Sequence, residues 1–128
     1  MVENNEITIF IVEDEPIFIS LIKYQLLKLN LSNYHIFVNG EICLKHLDIK
    51  PDVVILDYNL GGINGIEVLK KIKKLYLDAY VIMFSSNREE EMYEECMKHG
   101  ADEYIEKNVT ALIKVKNTLS LLMKKVEV

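Results

Sequence analysis

Five short apolar runs alternate with longer segments in which apolar residues have a helical period. The runs cover residues 7–12, 35–38, 53–56, 80–84 and 102–106, and the last is the weakest. The first, third and fourth (ITIFIV, VVIL and YVIMF) are apolar at nearly every position rather than alternating with polar residues. Such runs are typical of strands that are covered on both faces, as in a parallel sheet between helices.

Between these runs, apolar residues recur at spacings of three and four, which predicts amphipathic helices. The helical stripes are Phe18, Ile22, Leu26 and Leu29, then Ile66, Leu69, Ile72 and Tyr76, and finally Leu112, Val115, Leu119 and Leu122. Pro16 suits a first helical turn, and Gly100 suits a C-terminal cap. Asn87, followed three residues later by Glu90, resembles a capping box. Pro51 separates a short second helix from the third strand.

This order, a strand and then a helix repeated five times, predicts an α/β domain of the doubly wound (βα)5 type. Its parallel five-stranded sheet would have helices on both faces. We take 2-1-3-4-5 as the strand order, which places the first and third strands side by side. Since the sequence contains no sign of a second domain, an internal repeat or a low-complexity segment, we expect residues 1–128 to form a single domain.

The composition fits a folded domain with a hydrophobic core. Of the 128 residues, 50% are hydrophobic and 27% are charged, which excludes a disordered or collagen-like chain. The net charge of −5 makes nucleic acids and anionic membranes unfavourable partners. We interpret the lysines that crowd one predicted helix as a solvated face: Lys70, Lys71, Lys73 and Lys74.

The cysteines and the N-terminus favour a cytoplasmic protein. Cys43 and Cys96 are far apart and lack CxxC spacing, so we expect both to be reduced and partly buried. The first residues, MVENNE, lack the basic start and apolar run of a signal peptide, and no apolar stretch approaches the ~18–20 residues of a membrane span. A free-standing protein is the favoured interpretation, and excision from a longer protein is the alternative.

Polar and charged side chains that could bind a ligand or take part in a reaction follow four of the five predicted strands. Glu13, Asp14 and Glu15 follow the first, Asp57 the third, Ser85 and Ser86 the fourth, and Lys107 the fifth. In a doubly wound sheet, the carboxyl ends of the strands form the edge where ligands bind. Each residue alone has an ordinary explanation, such as a helix cap, a turn or a surface lysine, but their occurrence at one edge indicates a site.

The chemistry of this site follows from which strands are neighbours. Asp14 and Asp57 would follow the first and third strands, which are neighbours in this order and lie ~4.8 Å apart. Carboxylates this close repel each other unless a cation lies between them, and their hard oxygen atoms suit Mg²⁺. Lys107 comes from two strands away, a distance that only a long side chain spans, and Ser85 lies on the other side of Asp57. We expect the Asp57 carboxylate to attack phosphorus and form an acyl phosphate.

The motifs IFIVEDEP, VVILDYNLGGINGIEVL, VIMFSS and GADEYIEK resemble the response regulator receiver domain of two-component signalling, of the CheY type. The resemblance covers about residues 7–123 and implies the flavodoxin-like, CheY-like fold. It implies a signalling switch that catalyses only its own phosphorylation and dephosphorylation. The phosphoryl group would come from a sensor histidine kinase or a His-phosphotransfer protein, which would contact Glu15, Pro16 and the first helix.

The resemblance also implies a role for each site residue. Asp57 would be the phosphoacceptor. Asp14, Asp57 and the backbone carbonyl of Asn59 would hold Mg²⁺, with Mn²⁺ as an alternative ion, and Glu13 would lie in the outer shell of the ion. Lys107 would neutralise the phosphoryl oxygens.

Two further residues would convert phosphorylation into a signal. The Ser85 hydroxyl would move to donate to a phosphoryl oxygen, and Tyr104 would swing inward and change the surface of the fourth helix, fifth strand and fifth helix. The output partner would be an unidentified protein or effector domain, without direct nucleic-acid binding by this domain, and a homodimer is left open. Five acidic residues form either a solvated face or a docking surface for a basic partner: Glu89, Glu90, Glu91, Glu94 and Glu95.

Two positions depart from the family pattern. Gly61 stands where the family usually has proline, so we expect a looser loop after Asp57. The family usually also has a proline directly after the lysine, joined to it by a cis peptide bond, and here that position is Asn108. Because a cis bond before a non-proline residue costs ~2.5–4 kcal/mol, we favour a trans Lys107–Asn108 peptide.

Other classes of protein fit the residues less well. A phosphate-independent pseudo-receiver is the nearest alternative, but such domains usually lose the acceptor or the lysine. A magnesium-dependent phosphatase of the haloacid dehalogenase type would carry its nucleophile on the first strand. An FMN-binding flavodoxin would need a phosphate-binding loop where this chain has EDEP. The three histidines, His35, His46 and His99, lack zinc-ligand spacing and the all-helical context of a phosphotransfer module.

Overall fold

A parallel sheet with helices on both faces makes up the fold. The computed structural model describes residues 7–87 and 89–126. The strands are β1 (Ile9–Val12), β2 (Tyr34–Phe37), β3 (Val53–Asp57), β4 (Tyr80–Ser85) and β5 (Glu103–Glu106). The helices are α1 (Pro16–Lys28), α2 (Gly40–Leu44), α3 (Gly65–Leu75), α4 (Glu90–Lys98) and α5 (Ala111–Val126), with a 3₁₀ turn at Leu47–Ile49.

The sheet topology brings the predicted site residues to one edge. The strand order is β2-β1-β3-β4-β5 and all neighbouring strands are parallel, which confirms the predicted fold class and order. The strand boundaries differ from the predicted runs by one or two residues. Val12 is level with Leu56, and Asp57 is level with Phe84. The carboxyl ends of β1, β3 and β4 therefore lie side by side, as the predicted strand order requires.

Two hydrophobic layers attach the helices to the sheet, because alternate strand residues point to opposite faces. Phe10 belongs to the layer that includes residues of α2, α3 and α4, whereas Ile11 and Ile55 belong to the layer with α1 and α5. Burial of each such side chain contributes roughly 1.5–3 kcal/mol. Cys43 and Cys96 are free thiols and are fully buried, which is deeper than predicted. Among the described residues, none of the helices combines the length and apolar character needed to cross a bilayer.

The helix ends confirm two local predictions and correct a third. Pro16 is the first residue of α1, and Gly100 has the left-handed φ of 99° that suits glycine after a helix. The predicted capping box is wrong, because α4 begins at Glu90 with Glu89 as its N-cap residue. Instead, Asn87 Oδ1 accepts the N–H of Glu89 at 2.9 Å in an Asx turn before the helix.

The interpretation of the lysine cluster as a solvated face is wrong for Lys73. Its side chain is only 11% exposed, and its Nζ lies 2.8 Å from Asp102 Oδ2. Lys73 also donates to the carbonyl of Ala79 at 2.5 Å. The same Asp102 oxygen accepts the N–H of Val81 at 2.8 Å. These contacts tie α3 to the beginnings of β4 and β5, at the edge opposite the predicted site.

Replacement of Asp102 by alanine tests this anchor. Asp102→Ala leaves the Lys73 ammonium and the Val81 N–H without their carboxylate, so we expect the free energy of unfolding to fall by about 1–3 kcal/mol in urea denaturation. Asp78→Ala removes an exposed carboxylate from the nearby turn and should change the free energy of unfolding by less than about 0.5 kcal/mol. Equal losses in the two variants would contradict the assigned role of Asp102.

Candidate functional site

Asp57 lies at the centre of a crevice at the carboxyl edge of the sheet. It is the last residue of β3 and is 3% exposed. Its Oδ1 accepts the N–H of Asn59 at 3.0 Å, and the N–H of Tyr58 donates to the carbonyl of Phe84 at 3.1 Å. These bonds fix the beginning of the loop that follows β3. The adjoining cavity has a volume of about 180 Å³ and is lined by Asp14, Glu15, Asp57, Asn59, Ser86 and Lys107.

Lys107 reaches this crevice from the end of β5, as the sequence argument requires. Its Nζ lies 2.6 Å from Glu15 Oε2, 2.9 Å from Glu13 Oε1 and 3.3 Å from Asp57 Oδ2. The side chain is 3% exposed. The Lys107–Asn108 peptide is trans, as we favoured from the sequence. One buried ammonium therefore joins carboxylates from the β1–α1 loop and from the end of β3.

Aromatic rings and a backbone bond help to hold Lys107 in place. Its Nζ lies 4.6 Å from the centre of the Phe18 ring and 5.4 Å from that of the Phe84 ring, within the range of cation–π attraction. Its backbone N–H donates to the carbonyl of Ser85 at 2.7 Å. Contacts with β4 and α1 therefore help to fix the position of the ammonium.

Glu13 is almost fully buried, at 1% exposure. Its Oε2 accepts the N–H groups of Asp14 and Glu15, each at 3.1 Å. These bonds give the β1–α1 loop its shape. Its Oε1 is paired with the Lys107 ammonium at 2.9 Å.

The crowding of carboxylates changes the ionisation of the site. Burial raises the pKa of Glu13 from 4.5 to about 7, against the hydrogen bond from Lys107, and the charge of Asp57 raises it further. Burial also raises the pKa of Asp57, which the charge of Lys107 partly opposes. For Lys107, burial alone lowers the pKa, but the hydrogen bonds with Glu15 and Glu13 outweigh it and the pKa is raised.

The acidic residues fit a divalent cation. One carboxylate oxygen from each of Glu13, Asp14 and Asp57 lies within 4.8 Å of the other two. Hard carboxylate oxygens are the ligands that Mg²⁺ prefers, and all three residues of this cluster supply them. Lys107 also pairs with Glu15, so its one positive charge cannot balance all of these carboxylates. A bound cation would relieve their repulsion.

The predicted switch residues both bond to the backbone of one residue, Asn87. Ser85 is fully buried, and its hydroxyl accepts the N–H of Asn87 at 3.1 Å. The Tyr104 hydroxyl donates to the carbonyl of the same Asn87 at 2.6 Å. The Tyr104 ring also makes an edge contact with the Tyr93 ring at 5.7 Å. Ser86 rather than Ser85 lines the cavity in this structure.

The structure therefore brings together most, but not all, of the predicted site residues. Glu13, Asp57 and Lys107 are in contact, and Asp14 and Asn59 line the same cavity as Asp57. The Ser85 hydroxyl instead accepts the backbone N–H of Asn87 in the loop after β4. Two contacts were missed from the sequence: the Glu15–Lys107 ion pair and the bonds of Ser85 and Tyr104 to the backbone of Asn87. The position of Glu15 directly after Asp14 was the available signal for the first of these contacts.

The comparisons with known proteins agree with this fold. The family model described as "Response regulator receiver domain" matches residues 9–116, so the chain belongs to the response regulator receiver domain family. The nitrate/nitrite response regulator protein NarL of Escherichia coli K12 is 30% identical over 105 residues, covering 80% of this chain and 48% of NarL. The DNA-binding transcriptional activator EvgA of the same organism is 28% identical over 98 residues, covering 76% of this chain and 48% of EvgA.

A solved structure agrees over nearly the whole chain. The CheY-like receiver domain protein from Methanospirillum hungatei JF-1 has a TM-score of 0.79 and 25% identity, and the match covers 93% of this chain and 98% of that one. In contrast, the chain spans about half the length of the curated relatives NarL and EvgA.

The ionisation of Glu13 gives a pH-dependent prediction for the metal-free protein. Because folding raises its pKa from 4.5 to about 7, the folded state retains a proton that the unfolded state has lost between these values. The stability that this proton provides is lost as the pH rises through about 7. In urea denaturation, the free energy of unfolding of wild type minus that of Glu13→Gln should therefore decrease as the pH is raised from 4.5 to about 7. A difference that is constant or rises over this range would contradict the raised pKa.

Proposed function

We propose that the chain, as a single receiver domain over residues 1–128, accepts a phosphoryl group on Asp57 from a sensor histidine kinase or a His-phosphotransfer protein. One observation carries the proposal: the buried Asp57 carboxylate borders a cavity, lies 3.3 Å from the Lys107 ammonium and belongs to an acidic cluster suited to a divalent ion. The proposed location is the cytoplasm. The domain would act as a switch that catalyses only its own phosphorylation and dephosphorylation.

Asp14, Asp57 and the carbonyl of Asn59 would hold Mg²⁺ or Mn²⁺, and Glu13 would orient the outer ligands. When bound, the ion supplies positive charge that offsets the charge of the phosphoryl oxygens. The site's own residues account for the rest of the chemistry. The N–H of Asn59 holds Asp57 Oδ1, which leaves Oδ2 on the side of Lys107. This arrangement orients one carboxylate oxygen for attack.

In the transfer step, a bond forms between an Asp57 oxygen and phosphorus as the bond from phosphorus to the donor's nitrogen or oxygen breaks. The leaving group keeps the electron pair. Lys107 exchanges its carboxylate contacts for phosphoryl oxygens, and Glu15 can release it because the Glu15 side chain is 52% exposed. Attack by water on phosphorus later returns phosphate and the free Asp57 carboxylate.

The switch would run through the backbone of Asn87. If the Ser85 hydroxyl turns to donate to a phosphoryl oxygen, it no longer accepts the N–H of Asn87. The Asn87 carbonyl, which holds the Tyr104 hydroxyl, is part of the same loop and would move with it. The position of Tyr104 between β5 and α4 would then change the output surface.

The two partner surfaces lie on different faces. Beside Glu15, the α1 residues Ile17 and Tyr24 are 62% and 56% exposed and form an apolar surface for the phosphodonor. On the output side, the acidic residues of α4 and its N-cap are exposed and favour a basic partner, either a separate protein or an effector domain. NarL and EvgA are named as a response regulator and a DNA-binding activator, but the net charge of −5 disfavours direct DNA binding by this domain itself.

Phosphorylation by a small donor tests the proposed acceptor. After incubation with acetyl phosphate and Mg²⁺, intact-mass spectrometry should show the addition of one phosphoryl group, which hydroxylamine removes. Asp57→Asn should abolish the gain, and so should EDTA. Asp52→Asn, at the opposite end of β3, is the matched control and should retain it. An unchanged gain in Asp57→Asn would contradict the assignment, and turnover of unrelated phosphomonoesters would favour a phosphatase.

Magnesium binding is expected to stabilise the folded protein. A ligand at one hundred times its dissociation constant contributes roughly 2.7 kcal/mol when it binds only the folded state, so saturating Mg²⁺ should raise the thermal unfolding midpoint. Asp14→Asn removes one carboxylate of the cluster and should strongly reduce the increase. Asp78→Asn, an exposed site at the opposite edge, should leave it intact. The same increase in all three proteins would place the ion elsewhere.

A further inference from the structure

The loop between Asp57 and α3 is held from outside by a residue on α2. Glu41, in the first turn of α2, accepts the N–H of Ile63 on its Oε2 at 3.0 Å. The loop also closes on itself, because the N–H of Gly65 donates to the carbonyl of Tyr58 at 3.0 Å. The predicted looseness of this loop, which lacks the usual proline at position 61, is thus offset by a contact from a distant element.

Two glycines allow this close approach. Gly62 has a φ of 76°, and a Cβ placed on it would lie 2.5 Å from Glu41 Oε2. A Cβ on Gly40, next to Glu41, would lie 2.7 Å from Ile63 Cγ2. By contrast, a Cβ on Gly61 would meet nothing within 4 Å. The start of α2 is therefore packed directly on the second half of the loop and not on Gly61.

We propose that Glu41 is a positioning residue for phosphorylation, which holds the loop after Asp57 in the conformation that the metal and phosphoryl site requires. The loop carries Asn59, whose N–H orients Asp57 and whose carbonyl belongs to the proposed ion site. Glu41 fixes the loop four residues later, at Ile63. It would not touch the ion or the phosphoryl group. This inference rests on the proposed function of Asp57.

The contact predicts a specific effect on magnesium affinity. Loss of one such hydrogen bond corresponds to a change of about 3- to 10-fold in an equilibrium constant. In isothermal titration calorimetry, Glu41→Ala should therefore raise the Mg²⁺ dissociation constant about 3- to 10-fold. Glu41→Gln keeps an oxygen that can accept the N–H of Ile63, so it should bind Mg²⁺ nearly as well as wild type.

Glu67→Ala is the matched charge control. Glu67 lies on the first turn of α3 and pairs with Lys70 at its surface, so its loss removes the same charge close to the loop without removing the Ile63 contact. Its Mg²⁺ affinity should resemble that of wild type. A weakening as large as that of Glu41→Ala, or a similar weakening in Glu41→Gln, would mean that charge and not the hydrogen bond is responsible, and would overturn the proposal. Unchanged affinity in Glu41→Ala would overturn it as well.

A double-mutant cycle with Gly62 separates positioning from general stability. Gly62→Ala should weaken Mg²⁺ binding because the new methyl group collides with the Glu41 carboxylate. In the Glu41→Ala background this collision is absent, so the added effect of Gly62→Ala should be smaller. If the two substitutions change the Mg²⁺ dissociation constant by independent factors that simply multiply, the proposed contact between Glu41 and the loop would be contradicted. Because calorimetry requires no phosphorylation, wild type that binds Mg²⁺ but gains no phosphoryl group would refute the proposed function without deciding the role of Glu41 in ion binding.

Discussion

The site depends on one buried ammonium group that is shared among carboxylates from separate parts of the chain. Lys107 contacts Glu13, Glu15 and Asp57, and so ties the end of β5 to the end of β3 and to the β1–α1 loop. Burial of charges is costly unless their pairing is good. Here the single positive charge leaves an excess of negative charge, which Asp14 increases. Burial, together with the charge of Asp57, raises the pKa of Glu13. The excess of negative charge is the physical reason why a divalent cation would fit the site.

The fold and the centre of the site could be predicted because both follow from backbone positions. Continuous apolar runs indicated a parallel sheet, and residues directly after such strands must meet at one edge, which located Asp57 and Lys107. The contacts of Glu15, Lys73 and Glu41 could not be predicted in the same way. They depend on the direction of long side chains and on which elements far apart in sequence pack together. The capping-box error has a related cause, since the same Asn87 side chain can cap a turn or a helix.

The structure also indicates how a local change could reach a distant surface. The backbone of Asn87 is bonded on both sides, because its N–H donates to the Ser85 hydroxyl and its carbonyl accepts from the Tyr104 hydroxyl. On the other side of Asp57, Glu41 holds the loop that leads into α3. The two loops that flank the acceptor are therefore anchored differently, one to β5 and the other to α2.

The most direct test of the central claim is to locate the phosphoryl group within the chain. Borohydride reduction of the acetyl phosphate-treated protein, followed by peptide sequencing in a mass spectrometer, converts an aspartyl phosphate into homoserine at the modified position. The account predicts homoserine at position 57 and at none of the other carboxylates of the crevice. Homoserine at Asp14, reduction of the Glu13 or Glu15 side chain, or the absence of any reduced residue would contradict it.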